Sequence, residues 1–202
     1  MNLDILGANL RPSLRNLSFA IAAESGGARL QQLVQDAIAP SGLGTQQLSS
    51  IFGEARSDYV SLIAASVPTV FFSDATGPCY HTDSDDWAVV DYGKLNKQID
   101  ILHRLLASLT STDSLPVFTS GSPLATYADA QVLTNAIDEL QADLRLFTAA
   151  QQTNIVTSRT QLHAIVDAGP GAFDSTSIST TLSIAATLVG YFTTGPCSGF
   201  LQ

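Results

Sequence analysis

The sequence predicts an α/β fold: a partial, parallel-type sheet with helices, followed by a mostly α-helical C-terminal extension. Three observations carry this expectation. Short apolar runs alternate with amphipathic stretches through the first half, as strand–helix units do. After Phe72 no run has clear strand character. The second half carries long stretches of helical period, separated by Gly, Pro, Ser and Thr. The expected division is 1–112 for the α/β portion and 113–202 for the helical extension.

Leu3 to Leu6 is the first expected strand, ending at Gly7, and Leu17 to Ala22 is the second. Gly26-Gly27 opens a helix with Leu30, Leu33, Val34, Ala37 and Ile38 on one face. Pro40 and Gly42 stop it. Ser57 has the chemistry of an N-cap for a short helix, Asp58 to Ala65. Pro68 breaks that helix, and Thr69 to Phe72 reads as the third strand. A polar loop runs from Ser73 to Asp86. Tyr92 to Leu109 is a long amphipathic helix with Leu95, Ile99, Leu102, Leu105, Leu106 and Leu109 in register. Leu115 to Tyr127 is a connection, and helices follow at about 129–148, 151–167 and 178–193.

The chain has 202 residues, of which 45% are hydrophobic and 13% charged, enough apolar mass for a buried core. The net charge is −9, from 18 acidic and 9 basic residues. The bases are scattered, which argues against nucleic acid as a partner. An acidic surface does not steer toward anionic membranes either. The run Leu182–Phe192 is apolar but too short to span a bilayer. The N-terminus lacks a basic start followed by an apolar run, so no signal peptide is visible. The chain opens directly into an expected core strand, which suggests an internal start, a truncated gene or a split gene.

Two cysteines, Cys79 and Cys197, each close a Thr-Gly-Pro-Cys tetrapeptide. Two free buried thiols fit an intracellular chain, and an oxidised pair fits an exported one. Both readings stay open at this point.

Among residues able to carry chemistry, Asp4 lies near the end of the first expected strand and His81 in the loop leaving the third. In open α/β sheets ligands bind beyond the carboxyl ends of strands, so both can serve one crevice. The bland alternatives are a surface or capping aspartate and a solvated histidine. His103 and His163 lie inside amphipathic helices and read as surface residues of those helices.

The wider context favours chemistry for the first pair. Asn2-Leu3-Asp4-Ile5-Leu6-Gly7 is followed by Arg56-Ser57-Asp58-Tyr59, then Val67-Pro68-Thr69-Val70-Phe71-Phe72. Tyr80-His81-Thr82-Asp83-Ser84-Asp85 and Val90-Asp91-Tyr92 complete the set. This ordered series resembles the C-terminal half of the co-catalytic zinc aminopeptidases of metallopeptidase clan MH (peptidase family M28). The resemblance covers residues 1 to about 110. It implies a zinc exopeptidase-like fold and a site of two zinc ions.

By that resemblance Asp4 binds one zinc and His81 the other, donor types that zinc accepts. Tyr80 matches a tyrosine whose hydroxyl stabilises the tetrahedral intermediate, a donor aimed at developing negative charge. Asp85 matches an aspartate that orders the loop or supports a ligand. Arg56, Ser57 and Asp58 match a turn near the site. Tyr59 stands where many members have histidine. The implied substrate is a peptide or amino-acid amide, and the implied location is secreted or periplasmic.

The departures concern the family's first half. Its His-x-Asp motif, which bridges both metals, and its Glu-Glu pair, which supplies the general base and a ligand, are not found. Glu24 and Glu54 are single and follow Asp4. Activating water between two metals needs a bridge and a base. The resemblance therefore implies an incomplete C-terminal portion, inactive alone, whose partner is the missing N-terminal half of the catalytic domain. The alternative is a non-catalytic binding or scaffold relative of the same fold. A third reading is a helical interaction protein with a coincidental α/β match.

Overall fold

A computed structural model describes residues 1–120, 124–194 and 197. The chain divides into two compact, interleaved units. The first comprises Met1–Ala8, Asn16–Ala75 and Val90–Pro123, and the second Asn9–Arg15, Thr76–Val89 and Leu124–Gln202. Gly195-Pro196 of the second Thr-Gly-Pro-Cys tetrapeptide lie outside the described residues.

The first unit is α/β. Its strands are β1 (Asn2–Leu3), β2 (Leu17–Ile21), β3 (Gly44–Leu48) and β4 (Phe71–Ser73), in sheet order β1-β4-β2-β3. β1 runs parallel to β4 and β3 parallel to β2, while β2 and β4 are antiparallel, so the sheet is mixed. β3 went unforeseen. Its sequence Gly-Thr-Gln-Gln-Leu has no apolar alternation, and it sits at the sheet edge, where polar side chains are tolerated. β1 is shorter than expected because Ile5, at φ 58, turns the chain out of the strand.

Helix α1 (Gly27–Ile38) buries Leu30, Leu33, Val34, Ala37 and Ile38, the face its spacing predicts. These side chains join Ala20, Val70 and Phe72 of the sheet and Ile101 and Leu105 in one core. The short α2 (Tyr59–Ala64) starts without a side-chain cap. Ser57, the expected cap, instead accepts a hydrogen bond from the Asn2 side-chain amide at 2.8 Å. Helix α3 (Tyr92–Ser111) is capped by Asp91, which accepts from the Lys94 N–H, and it packs on α1. Its buried face is Lys94, Gln98, Ile101 and Leu105. The expected apolar register is therefore rotated: Ile99 and Leu106 are each 50% exposed.

The second unit is helical: α4 (Tyr127–Leu140), α5 (Ala149–Ala168) and α6 (Ser175–Phe192). Thr126 with Asp129, and Thr148 with Gln151, form capping boxes that start α4 and α5. The helix expected over 129–148 ends at Leu140, and a 3-10 turn spans Gln141–Leu146. Ile137 and Leu140 of α4, Ile155 and Leu162 of α5, and Ile184 and Leu188 of α6 are buried. Arg11 stacks over Phe147, 4.9 Å from the ring centroid, and donates to the Tyr191 and Thr194 carbonyls at the end of α6. Among the described residues no helix is long and apolar enough to cross a membrane.

Candidate functional site

Asp4 follows β1 directly. Its N–H donates to the Phe72 carbonyl at 3.2 Å, which extends the β4 pairing by one residue, and its side chain is exposed. The next residue, Ile5, is left-handed, as is Gly7 at φ 73. A β-branched residue in that region is an outlier that marks a constrained segment.

Beneath this turn lies a polar cluster. Asp74, just past β4, is 0% exposed and pairs with Lys94 Nζ at 3.0 Å. Gln98 Nε2 donates to Asp74 Oδ1 at 2.8 Å and to Ser18 Oγ at 3.0 Å. Burial pushes the Asp74 carboxyl up, while Lys94 and the donors around it pull the other way. Burial likewise pushes the Lys94 ammonium down against the attraction of Asp74.

The Arg56-Ser57-Asp58 turn joins this unit through the Asn2–Ser57 hydrogen bond, so two of the sequence motifs touch. Arg56 pairs with Glu54, and both Arg56 and Asp58 are exposed. Tyr59 is buried. Its hydroxyl donates to the Ser50 carbonyl at 3.0 Å, accepts from the Ala55 N–H at 3.1 Å, and its ring stacks on Phe71. Glu24 accepts from the Ser50 N–H at 2.6 Å.

Tyr80, His81 and Asp85 belong to the second unit. They lie on successive turns: Tyr80 N–H donates to Gly77 O, Thr82 N–H to Cys79 O, and Asp85 N–H to Thr82 O. His81 is left-handed at φ 59 and exposed, and its ring stacks on Tyr80 with centroids 3.8 Å apart. Asp85 is also exposed. A disulfide joins Cys79, the residue before Tyr80, to Cys197, with Cα atoms 4.6 Å apart. It anchors the base of the Tyr-His loop. Asp4 lies in the first unit and His81 in the second, and each is positioned by its own unit's contacts.

His103 is exposed on α3. His163 is half-buried on α5, and its Nε2 lies 3.0 Å from Asp138 Oδ1. Arg159 shares that carboxylate at 2.6 Å. Sequence reasoning missed Asp74, Lys94 and Gln98 because a lysine and a glutamine on an amphipathic helix ordinarily face water, as does an aspartate in a polar loop. The signal was present: Lys94, Gln98, Ile101 and Leu105 follow a helical spacing of four, three and four. It also passed over a literal His-x-Asp match, His81-Thr82-Asp83, inside the Tyr-His loop, where Asp83 is exposed.

Both candidate donors are of types that zinc takes, a carboxylate and an imidazole, and both are open to solvent. Among the described residues no three His, Cys, Asp or Glu side chains gather as a metal-holding group. The model of Peptidase family M28 matches residues 1–106, more than half of the chain. The chain belongs to peptidase family M28. No curated protein and no solved structure matches it. Family M28 relates the chain to metallopeptidases, a class of hydrolases. The match takes in Asp4, Arg56, Asp58, Tyr80, His81 and Asp85, and it ends within α3, so α4, α5 and α6 lie outside it.

Proposed function

We propose that this chain is part of a zinc-dependent exopeptidase of aminopeptidase type, acting on a peptide or an amino-acid amide. The observation that carries this reading is that one family match spans both ligand motifs and the chain keeps both donors, Asp4 and His81, exposed. Asp4 serves as a carboxylate ligand and His81 as an imidazole ligand, each assigned on its own motif. Bound zinc supplies a polarised carbonyl and a nucleophilic hydroxide at neutral pH. The Tyr80 hydroxyl donates a hydrogen bond to the oxyanion that develops on the substrate. Arg56, Asp58 and Asp85 keep their turns in shape.

Neither glutamate of the first unit is available as general base. Glu24 is bound to the Ser50 N–H and Glu54 to Arg56. The base and the bridging carboxylate are therefore assigned to a partner segment, the N-terminal half of a catalytic domain. The same two contacts favour the second reading, a non-catalytic relative that keeps the fold as a scaffold.

Zinc titration against a chromophoric chelator tests the ligand assignment. Asp4→Asn and His81→Ala are each expected to weaken zinc binding about tenfold or more, as loss of a direct ligand should exceed typical outer-shell effects. Unchanged affinity in both variants would leave the scaffold reading as the better account.

A further inference from the structure

The turn that follows Asp4 is held by Asp74, just past β4, and by Asp91, Lys94 and Gln98 at the start of α3. Five backbone polar groups between Ile5 and Ala8 are each met. Asp74 N–H donates to Ile5 O at 2.9 Å, and Asp91 N–H to Gly7 O at 2.7 Å. Gly7 N–H donates to Gln98 Oε1 and Ala8 N–H to Asp74 Oδ2, each at 2.9 Å, while Lys94 Nζ donates to Ala8 O at 2.7 Å. A Cβ on Gly7 would meet Val90 at 2.9 Å, so the backbone is seated against its neighbours. Asp74 thus grips both ends of the turn, with its N–H on Ile5 and its carboxylate on Ala8.

Stability alone does not call for this arrangement. A buried ion pair is often no better than apolar packing of the same volume. A loop leaving a strand ordinarily satisfies its backbone with water. A left-handed Ile5 costs on the order of 1–3 kcal/mol and persists only where its surroundings over-determine it. What the cluster supplies is a fixed direction for the residue beside it. Asp4 is pinned on one side by Phe72 and on the other by the clamped turn.

We infer that Asp74, Lys94 and Gln98 are positioning residues for Asp4: they hold the Ile5–Ala8 turn so that the Asp4 carboxylate meets a divalent metal in one orientation. The inference rests on the reading of Asp4 as a zinc ligand. None of the three touches the metal. Their effect passes through the backbone of residues 5–8, as outer partners of a metal site commonly act.

The test uses the 202-residue chain, Zn²⁺ as the probe, and two readouts: zinc affinity, and amide hydrogen exchange at Gly7 and Ala8 with Ala20 of β2 as reference. Gln98→Met is expected to speed exchange at Gly7 and Ala8 selectively and to weaken zinc binding about tenfold, at the low end of outer-shell losses. Asp4→Asn is expected to weaken zinc binding and leave those exchange rates unchanged. Ser18→Ala, which removes one hydroxyl that accepts from Gln98 and also hydrogen-bonds Asp74, is the milder variant should Gln98→Met not fold. It should shift both readouts in the same direction by a smaller factor. If Asp4→Asn weakens zinc binding while Gln98→Met and Ser18→Ala do not, the positioning role is overturned and the ligand stands. If Asp4→Asn has no effect, the ligand reading fails and takes the positioning role with it.

Discussion

Lys94 and Asp74 form an ion pair at 3.0 Å with side chains only 2% and 0% exposed. Removing one partner of such a pair leaves an uncompensated charge in the core. Lys94→Met is therefore expected to destabilise the first unit by about 3–5 kcal/mol. Lys97→Met, three residues along, gives up only a solvent-exposed hydrogen bond to the Gly42 carbonyl at 3.3 Å and should cost no more than about 0.5 kcal/mol. Urea titration of both variants checks the contrast, and equal midpoints would refute it.

The disulfide joins residues 118 apart in sequence. Closing a loop of that size stabilises by about 4–5 kcal/mol in the chain-entropy model. Cys197→Ser should lower the stability of the second unit by up to that amount. Limited proteolysis should then cut the Tyr80-His81 loop faster, because its anchor at Cys79 is gone. A protection pattern identical to the oxidised protein would contradict this.

His81 is left-handed without being glycine. Left-handed geometry costs an L-residue roughly 1–2 kcal/mol, and glycine recovers part of that. His81→Gly should therefore be more stable than His81→Ala by about 0.5–1 kcal/mol, although both lose the imidazole. Thermal unfolding of the two variants decides it. A more stable alanine variant would mean the backbone at His81 is not strained.

Much of the fold was legible in the sequence, and the exceptions at α3 and at the start of α2 share one cause. Helix α1 buries the residues its spacing picks out, because its polar positions have no buried partner and must face water. Helix α3 does not. Lys94 and Gln98 occupy the core face because Asp74, Ser18 and the Gly7–Ala8 backbone satisfy them there. Those partners lie up to 91 residues away in sequence, beyond the reach of local periodicity. Ser57 failed as a cap for the same reason: Asn2, 55 residues distant, takes its hydroxyl. Asp4 and His81 were singled out through motif order, and the left-handed geometry beside the first and at the second has no signature in residue type.

Partial burial pushes the Asp138 carboxyl up, but hydrogen bonds and charge from His163 and Arg159 together hold it below the usual carboxylate range. A depressed carboxylate adds stability that is present above its unfolded value, about pH 4, and lost as pH falls through the folded value. Because the group is half-exposed, the contribution should stay within about 1 kcal/mol. Asp138→Asn should flatten the acid limb of the second unit's stability curve below about pH 4 and leave the neutral limb parallel to wild type. An unaltered acid limb would show that this pair contributes nothing.

The central claim, that this M28 chain carries two working zinc ligands of a peptidase, is tested most directly by aminopeptidase turnover with zinc present. The assay compares the chain alone with the chain fused to a segment bearing the family's His-x-Asp and Glu-Glu motifs. The account predicts no hydrolysis of an amino-acid amide by the chain alone and measurable turnover by the fusion. His81→Ala should remove most of that turnover, and Tyr80→Phe should lower kcat more than zinc affinity. Hydrolysis by the unfused chain, or turnover by the fusion that survives His81→Ala, would contradict it.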